Sequence, residues 1–293
     1  MQTPTFPDDR DPLRIDPGEL RRKFDREPFL VEHRLSGHPL LQLPRLIELA
    51  RALPAEAVEY NSGDLAIGQD PAMTPRTGLG VEETLRRIET HTSWMVLKYI
   101  ENDPDYARLL DTCLDPVQAV VDDVAPGMCR RHAFVFVSSP GAVTPYHVDF
   151  EHNFLLQLRG DKRMTVWDGE DRVVMSEEER ERKVTGSQRN LPWRDDFAAR
   201  GHTFDLRPGQ GLHVPLSSPH WVKVGDDVSI SLSVTFLTAG GARRRALHTA
   251  NAFLRRHGVT PSEVGRSALR DGLKFNAYRV VDRLRRLRGA AET

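Results

Sequence analysis

Thr144-Pro-Tyr-His147-Val-Asp149-Phe-Glu-His-Asn153-Phe-Leu-Leu-Gln-Leu-Arg159-Gly160-Asp-Lys162-Arg-Met-Thr-Val-Trp167 is the stretch on which the fold turns. Its second half reads as two short apolar strands, Asn153–Arg159 and Lys162–Trp167, separated by Gly160-Asp161. The same rhythm continues on both sides. Candidate strands are His132–Ser138, Thr203–Leu206, Gly211–Val214, Trp221–Val224 and Val228–Leu237. Short strands with Gly and Pro turns over residues 131–240 argue for an antiparallel sandwich or barrel. Residues 169–201 interrupt the series with 8 acidic and 7 basic residues and little apolar content, so they read as a surface insertion, partly helical.

Outside this core the pattern is helical. Residues 1–38 read as an irregular arm with a short helix near Pro17–Phe24. Pro44 sits in the first turn of a helix, where its missing N–H costs nothing; Leu46, Ile47, Ala50 and Leu53 follow at helical spacing. Residues 60–80 read as loop, Val81–Thr90 as a polar helix and Ser93–Ile100 as a strand. A helix is expected from Asp103-Pro104 to about Val124, with Pro116 as a candidate break point. After Gly240-Gly241 the helical period returns. Ala277, Val280, Val281, Leu284 and Leu287 form one stripe, and Arg279, Arg283 and Arg286 lie on another face. Three segments follow: a mixed N-terminal region over 1–130, the β core over 131–240 and a helical extension over 241–293.

Composition excludes some classes. The chain has 293 residues, 39% hydrophobic and 28% charged, which suits a globular protein. No apolar run reaches membrane-spanning length, and the acidic, Pro-rich start lacks the apolar region of a secretory signal. A cytoplasmic protein is expected. Cys113 and Cys129 form no CxxC and suggest neither a disulfide framework nor a zinc site. Charge is uneven: residues 242–293 hold 13 basic and 4 acidic residues, against 28 and 38 in the rest. The tail's regular apolar stripe favours a helical pair packed on the body or on a second copy over a nucleic-acid-binding arm. Gly78-Leu-Gly80 and Gly209-Gln-Gly211 lack the strand–helix context of a phosphate cradle and read as turns.

The chemistry gathers at His147-Val-Asp149. On an extended strand, residues two apart share a face, so this imidazole and carboxylate can aim at one point. A second imidazole from a neighbouring strand would complete a 2-His-1-carboxylate facial triad, which leaves coordination positions open on iron(II). Leu206-Arg-Pro-Gly-Gln-Gly-Leu-His213-Val-Pro-Leu-Ser-Ser-Pro-His220-Trp offers two candidates. His220, at the start of the strand Trp221–Val224, is preferred. His213 would then lie near the site or in the core.

Taken together, Thr144–Arg163 and Pro208-Gly…Val214-Pro…Pro219-His220-Trp221 resemble the JmjC-like cupins, and among them the asparaginyl hydroxylase pattern TPxHxDxxxNFxxQxxGxKR followed by PGDxLxIPxxWWH. The resemblance covers about 144–236. It implies a double-stranded β-helix (jelly-roll) barrel, mainly β with flanking helices, and the chemistry of an Fe(II)- and 2-oxoglutarate-dependent dioxygenase using O2. It implies His147, Asp149 and His220 as metal ligands. The far carboxylate of 2-oxoglutarate needs a cation inside the barrel, since an unpartnered buried carboxylate is expensive. The strand Val228–Leu237 has no basic residue, which leaves Lys162 as the anchor, with Arg159 and Arg163 as alternatives. Thr144, Asn153 and Thr235 match pocket-lining positions, Thr235 standing where the family has Asn.

Gln210, Ser218 and Pro219 depart from the pattern and weaken transfer of substrate identity. Hydroxylation of an amino-acid side chain in a protein or peptide is the leading expectation. Hydroxylation of a small metabolite is the alternative, with N-methyl-lysine demethylation ranked below it, and a metal- or ligand-binding cupin regulator is the non-enzyme alternative. A homodimer through the C-terminal helices and a substrate entrance formed partly by residues 169–201 are further expectations.

Overall fold

A computed structural model describes residues 12–70, 73–186 and 189–289. Two antiparallel sheets face each other. The larger has eight strands, in the order β1 (Leu13–Arg14), β2 (Phe29–His33), β10 (Gln210–Val214), β7 (His152–Arg159), β12 (Ser229–Leu237), β5 (Cys129–Ser138), β4 (Ser93–Lys98) and β3 (Val58–Ser62). The smaller has four, in the order β6 (Val143–His147), β11 (His220–Val224), β8 (Lys162–Val166) and β9 (His202–Leu206).

Alternation along these strands builds two cores, because successive side chains point to opposite faces. Leu155, Leu212 and Val214 of the large sheet meet Met164, Val166, Leu206 and Val222 of the small sheet inside the barrel. The other face of the large sheet packs Ala133, Val135, Val137, Phe154, Leu156, Ile230, Leu232 and Val234 against α1 (Pro17–Lys23), α2 (Leu43–Ala52) and α4 (Pro104–Val121). A third cluster, around Tyr146, Trp167, Met175 and Phe197, joins the outer side of the small sheet to residues 169–201. The β7–β8 turn needs Gly160: it sits at φ +66°, and a Cβ there would come within 2.4 Å of Val228 O.

Helix ends follow local chemistry. The Asp16 carboxylate accepts from the Glu19 N–H at 2.6 Å and caps α1. Ser176 and Glu179 form a reciprocal capping box on α5 (Glu177–Thr185), and Thr238 caps α6 (Ala239–Arg256). A short α3 (Val81–Arg86) and the long α7 (Ala268–Gly289) complete the set.

Several local readings need correction. α4 runs through Pro116 without a break, because buried Cys113, Leu114 and Val117 on either side pack against the core and hold it. It ends at Val121 rather than near Val124. α3 stops at Arg86, where the chain turns back to feed β4. Residues 12–38 and the start of 60–80 are less irregular than they read: β1, β2 and β3 fall within or against them and extend the large sheet at both edges. The reading of residues 1–11, and of the side chains of Leu284, Arg286 and Leu287, lies outside the described residues. Among the described residues no helix is long and apolar enough to cross a membrane.

Candidate metal centre and adjoining pocket

β6 is the edge of the small sheet and carries a bulge. His220 pairs with His147, yet Val222 pairs with Thr144, so three steps on β6 oppose two on β11. The extra residue lies across Pro145-Tyr146, where Pro145 has no N–H to offer the ladder. The bulge puts Thr144 and His147 on the barrel side together and sends Tyr146 outward into the third cluster. β6 ends at His147, yet the two-residue alternation runs on: Tyr146, Val148 and Phe150 pack outward in the third cluster, while His147 and Asp149 face the ligand cluster together, as the sequence spacing implies.

The result is one cluster. Ligand atoms of His147, Asp149 and His220 all lie within 4.8 Å of one another. Asp149 Oδ2 is 3.9 Å from His147 Nε2 and 3.7 Å from His220 Nε2, and the two imidazole centroids are 4.1 Å apart. Each ring is oriented through its other nitrogen. His147 Nδ1 lies 2.7 Å from Pro145 O, and His220 Nδ1 lies 3.0 Å from Ser218 O. Carbonyl oxygens only accept, so both Nδ1 atoms are the protonated donors, and in the neutral ring this tautomer leaves the Nε2 lone pair facing the cluster. Burial, with His147 alongside, pushes His220 down to about 4, so it is neutral near pH 7. Burial alone would raise the Asp149 pKa, but Arg189, His147 and His220 outweigh it and hold the carboxyl well below the usual range. Two imidazole Nε2 atoms and one carboxylate oxygen form a donor set that fits a divalent transition metal with open positions.

Behind the cluster, Lys162 opens β8, with Lys162, Met164 and Val166 pointing inward. Lys162 is 6% exposed, and its Nζ donates to Ser231 Oγ at 2.8 Å and lies over the Phe136 ring at 5.9 Å. Among the described residues no carboxylate reaches it, and burial lowers its pKa to about 7. Ser231 in turn donates to Gln157 Oε1 at 2.6 Å, and Gln157 Nε2 donates to Ser229 Oγ and to the carbonyls of Arg159 and Gly160. Ser233 donates to Asn153 Oδ1 at 2.7 Å, and Thr235, paired with Asn153 across the strands, reaches His132 O at 3.5 Å. Thr144 stands opposite Val222 on the barrel side. The barrel face of β12 is thus Ser229, Ser231, Ser233 and Thr235, an alternation of hydroxyls legible in the sequence. Arg159 and Arg163 point to the surface, where they pair with Glu89 and Asp205.

His213 takes no part in the cluster. It is fully buried against Phe24, Phe29, Phe154 and His152, and burial pushes its pKa down to about 3. Arg189 and Glu151 border the cluster and were missed. Arg189 sits in the charged insertion, 40 residues along the chain from Asp149, and no spacing rule connects them.

Comparison with known proteins agrees with this architecture. Residues 112–242 match the family model of the JmjC domain. HSPB1-associated protein 1 of Mus musculus is 30% identical over 139 residues, covering 44% of this chain and 29% of that protein. The protein of the same name from Rattus norvegicus is 31% identical over the same shares. The chain therefore spans under a third of the length of the curated relatives it matches. Among solved structures, that of E. coli YcfD superposes with a TM-score of 0.50 at 16% identity, covering 92% of this chain and 67% of that one. The two facing antiparallel sheets and the likeness to that structure give the chain a jelly-roll, cupin fold, and the match to the JmjC domain lies over β5–β12 of it.

Proposed function

We propose that the chain is an Fe(II)- and 2-oxoglutarate-dependent dioxygenase in which His147, Asp149 and His220 hold the metal. The observation that carries this reading is the convergence of two Nε2 atoms and one Asp149 oxygen, each imidazole oriented by a backbone carbonyl. Lys162 adds independent support. A lysine buried without a counter-charge among the described residues is costly and marks a place for an anion. In this reading Lys162 takes the far carboxylate of 2-oxoglutarate, with Thr144, Asn153 and Thr235 lining the same pocket.

When bound, iron and 2-oxoglutarate with O2 supply the oxidising chemistry that inserts oxygen into a C–H bond. The chain's own residues do the rest. The carbonyls of Pro145 and Ser218 fix the imidazole tautomers. Ser231 and Gln157 hold Lys162 extended toward the pocket. Leu155, Met164, Val166 and Leu212 keep the barrel interior apolar, which strengthens the lysine–carboxylate attraction.

A protein or peptide side chain is the proposed substrate, on the strength of the motif resemblance. The division into 1–130, 131–240 and 241–293, and a role for residues 169–201 at the substrate entrance, belong to the same proposal. The test is succinate production from 2-oxoglutarate with Fe(II), ascorbate and O2. The wild type is expected to turn over, and Asp149→Ala and Lys162→Ala to lose the product. A folded wild type that binds neither Mn(II) nor 2-oxoglutarate would sink the proposal and leave a different ligand for the barrel.

A further inference from the structure

Residues 189–191 return from the charged insertion and run antiparallel to β6. The Val148 N–H donates to Arg189 O at 3.2 Å, the Leu191 N–H donates to Tyr146 O at 2.9 Å, and Asn190 bridges to His147. This backbone pairing seats Arg189 beside the turn that bears Asp149. Arg189 Nη1 donates to Asp149 Oδ1 at 2.5 Å and to Glu151 Oε2 at 3.1 Å. The second Glu151 oxygen, Oε1, accepts from Arg245 Nη1 of α6 at 3.2 Å. The Phe150 N–H closes the turn onto Glu151 Oε2 at 3.1 Å.

The two oxygens of Asp149 therefore have separate partners. Oδ1 is engaged by Arg189, while Oδ2 faces the two Nε2 atoms. A carboxylate free to rotate about its terminal bond can present either oxygen or both. One pinned through Oδ1 presents Oδ2 alone. Glu151 offsets the guanidinium charge that would otherwise repel a dication, so the net electrostatic effect of the Arg189–Glu151 pair on a bound metal is small and orientation is what remains. We propose that Arg189 is a positioning residue that fixes Asp149 as a single-oxygen ligand, and that Glu151 and Arg245 hold Arg189 in place. The inference rests on the reading of His147, Asp149 and His220 as a metal site. It makes the insertion and the C-terminal extension, through one residue each, part of the centre's support.

The test uses the full chain and Co(II) alone, whose visible absorption reports the coordination shell and whose affinity is read by calorimetry. Partners of metal ligands are typically worth about 10–100-fold in affinity. Arg189→Ala is expected to weaken Co(II) by that factor and to alter the Co(II) spectrum, while Arg189→Lys recovers part of the affinity. Glu151→Gln and Arg245→Ala should weaken binding less, and Arg189→Ala should make Arg245→Ala silent in the double variant. If Arg189→Ala binds Co(II) as the wild type does, with the same spectrum, the positioning role is wrong. If that variant does not fold, Arg245→Ala decides: unchanged affinity and spectrum overturn the relay. A folded wild type that takes up no Co(II) would remove the metal site itself, a different failure from wild-type binding that the variants leave unmoved.

Discussion

Lys162 brings a positive charge into the barrel with Ser231 Oγ as its hydrogen-bond partner. The cost shows in its pKa, depressed to about 7 from an unfolded value near 10.5. Between those values the unfolded chain binds the extra proton, so stability rises with pH there, by at most about 1.4 kcal/mol per unit from this one group. Replacement by an apolar residue removes both the slope and the penalty. Lys162→Met is therefore expected to raise the melting temperature at pH 7 and to flatten the pH 7–10 stability profile relative to wild type. It should also abolish 2-oxoglutarate binding; a variant that melts lower and still binds the cosubstrate would contradict the assignment. The bound carboxylate favours the charged lysine. Above pH 7, binding thus takes up a proton, and affinity should fall by up to about tenfold per pH unit. Calorimetry in buffers of different ionisation enthalpy would detect that proton.

At the scale of elements, the insertion is docked rather than free. Arg255 of α6 donates to Glu181 and Glu178 of α5. Arg180 is fully buried between them, with its guanidinium on Gly169 O and Glu177 beside it. Removing a buried charge from such a group leaves its partner short of compensation, which costs about 3 kcal/mol or more. Arg180→Ala should lower the unfolding free energy by that amount, seen as a lower urea midpoint, without touching the barrel core. An unchanged midpoint would mean that α5 contributes little to the fold. The β6 bulge belongs to the same scale. Thr144-Pro-Tyr-His147 announced a ligand-bearing strand, but the facing of Thr144 and His147 to one side depends on an irregular pairing with β11 that no single-strand period contains.

At the scale of the whole molecule, α7 packs on α6 through polar groups: Lys274 donates to Asn251 Oδ1 and Ser262 O and pairs with Asp271. Phe275 lies under Arg243 of α6, but Leu269, Leu273, Val280 and Val281 face solvent. Leu269 is 75% exposed, Leu273 65% and Val280 59%. An apolar helix face turned to water wants a partner. The stripe read at Ala277, Val280 and Val281 is therefore extended by Leu269 and Leu273 toward the start of the helix. We expect the 33.2 kDa chain to be a dimer through this face. Light scattering should give twice the chain mass for the wild type and the single mass for Leu269→Glu/Leu273→Glu. A monomeric wild type would refute it.

The sequence by itself determined the barrel strands and the identity of its reactive side chains. Period-two alternation around turn glycines is a local property, and an imidazole, a carboxylate and a lone inward lysine are legible wherever they stand. Only the tertiary structure decided how they meet. His220 rather than His213 joins His147 because β11 pairs with β6, whereas β10 lies between β2 and β7 and buries His213 among aromatic rings. Arg189 reaches Asp149 because residues 189–191 pair with the edge of β6 after a helical excursion whose length carries no register. Local pattern is written in neighbours along the chain; pairing partners across a sheet are chosen by the burial of whole faces, and that choice is made only when the chain closes on itself.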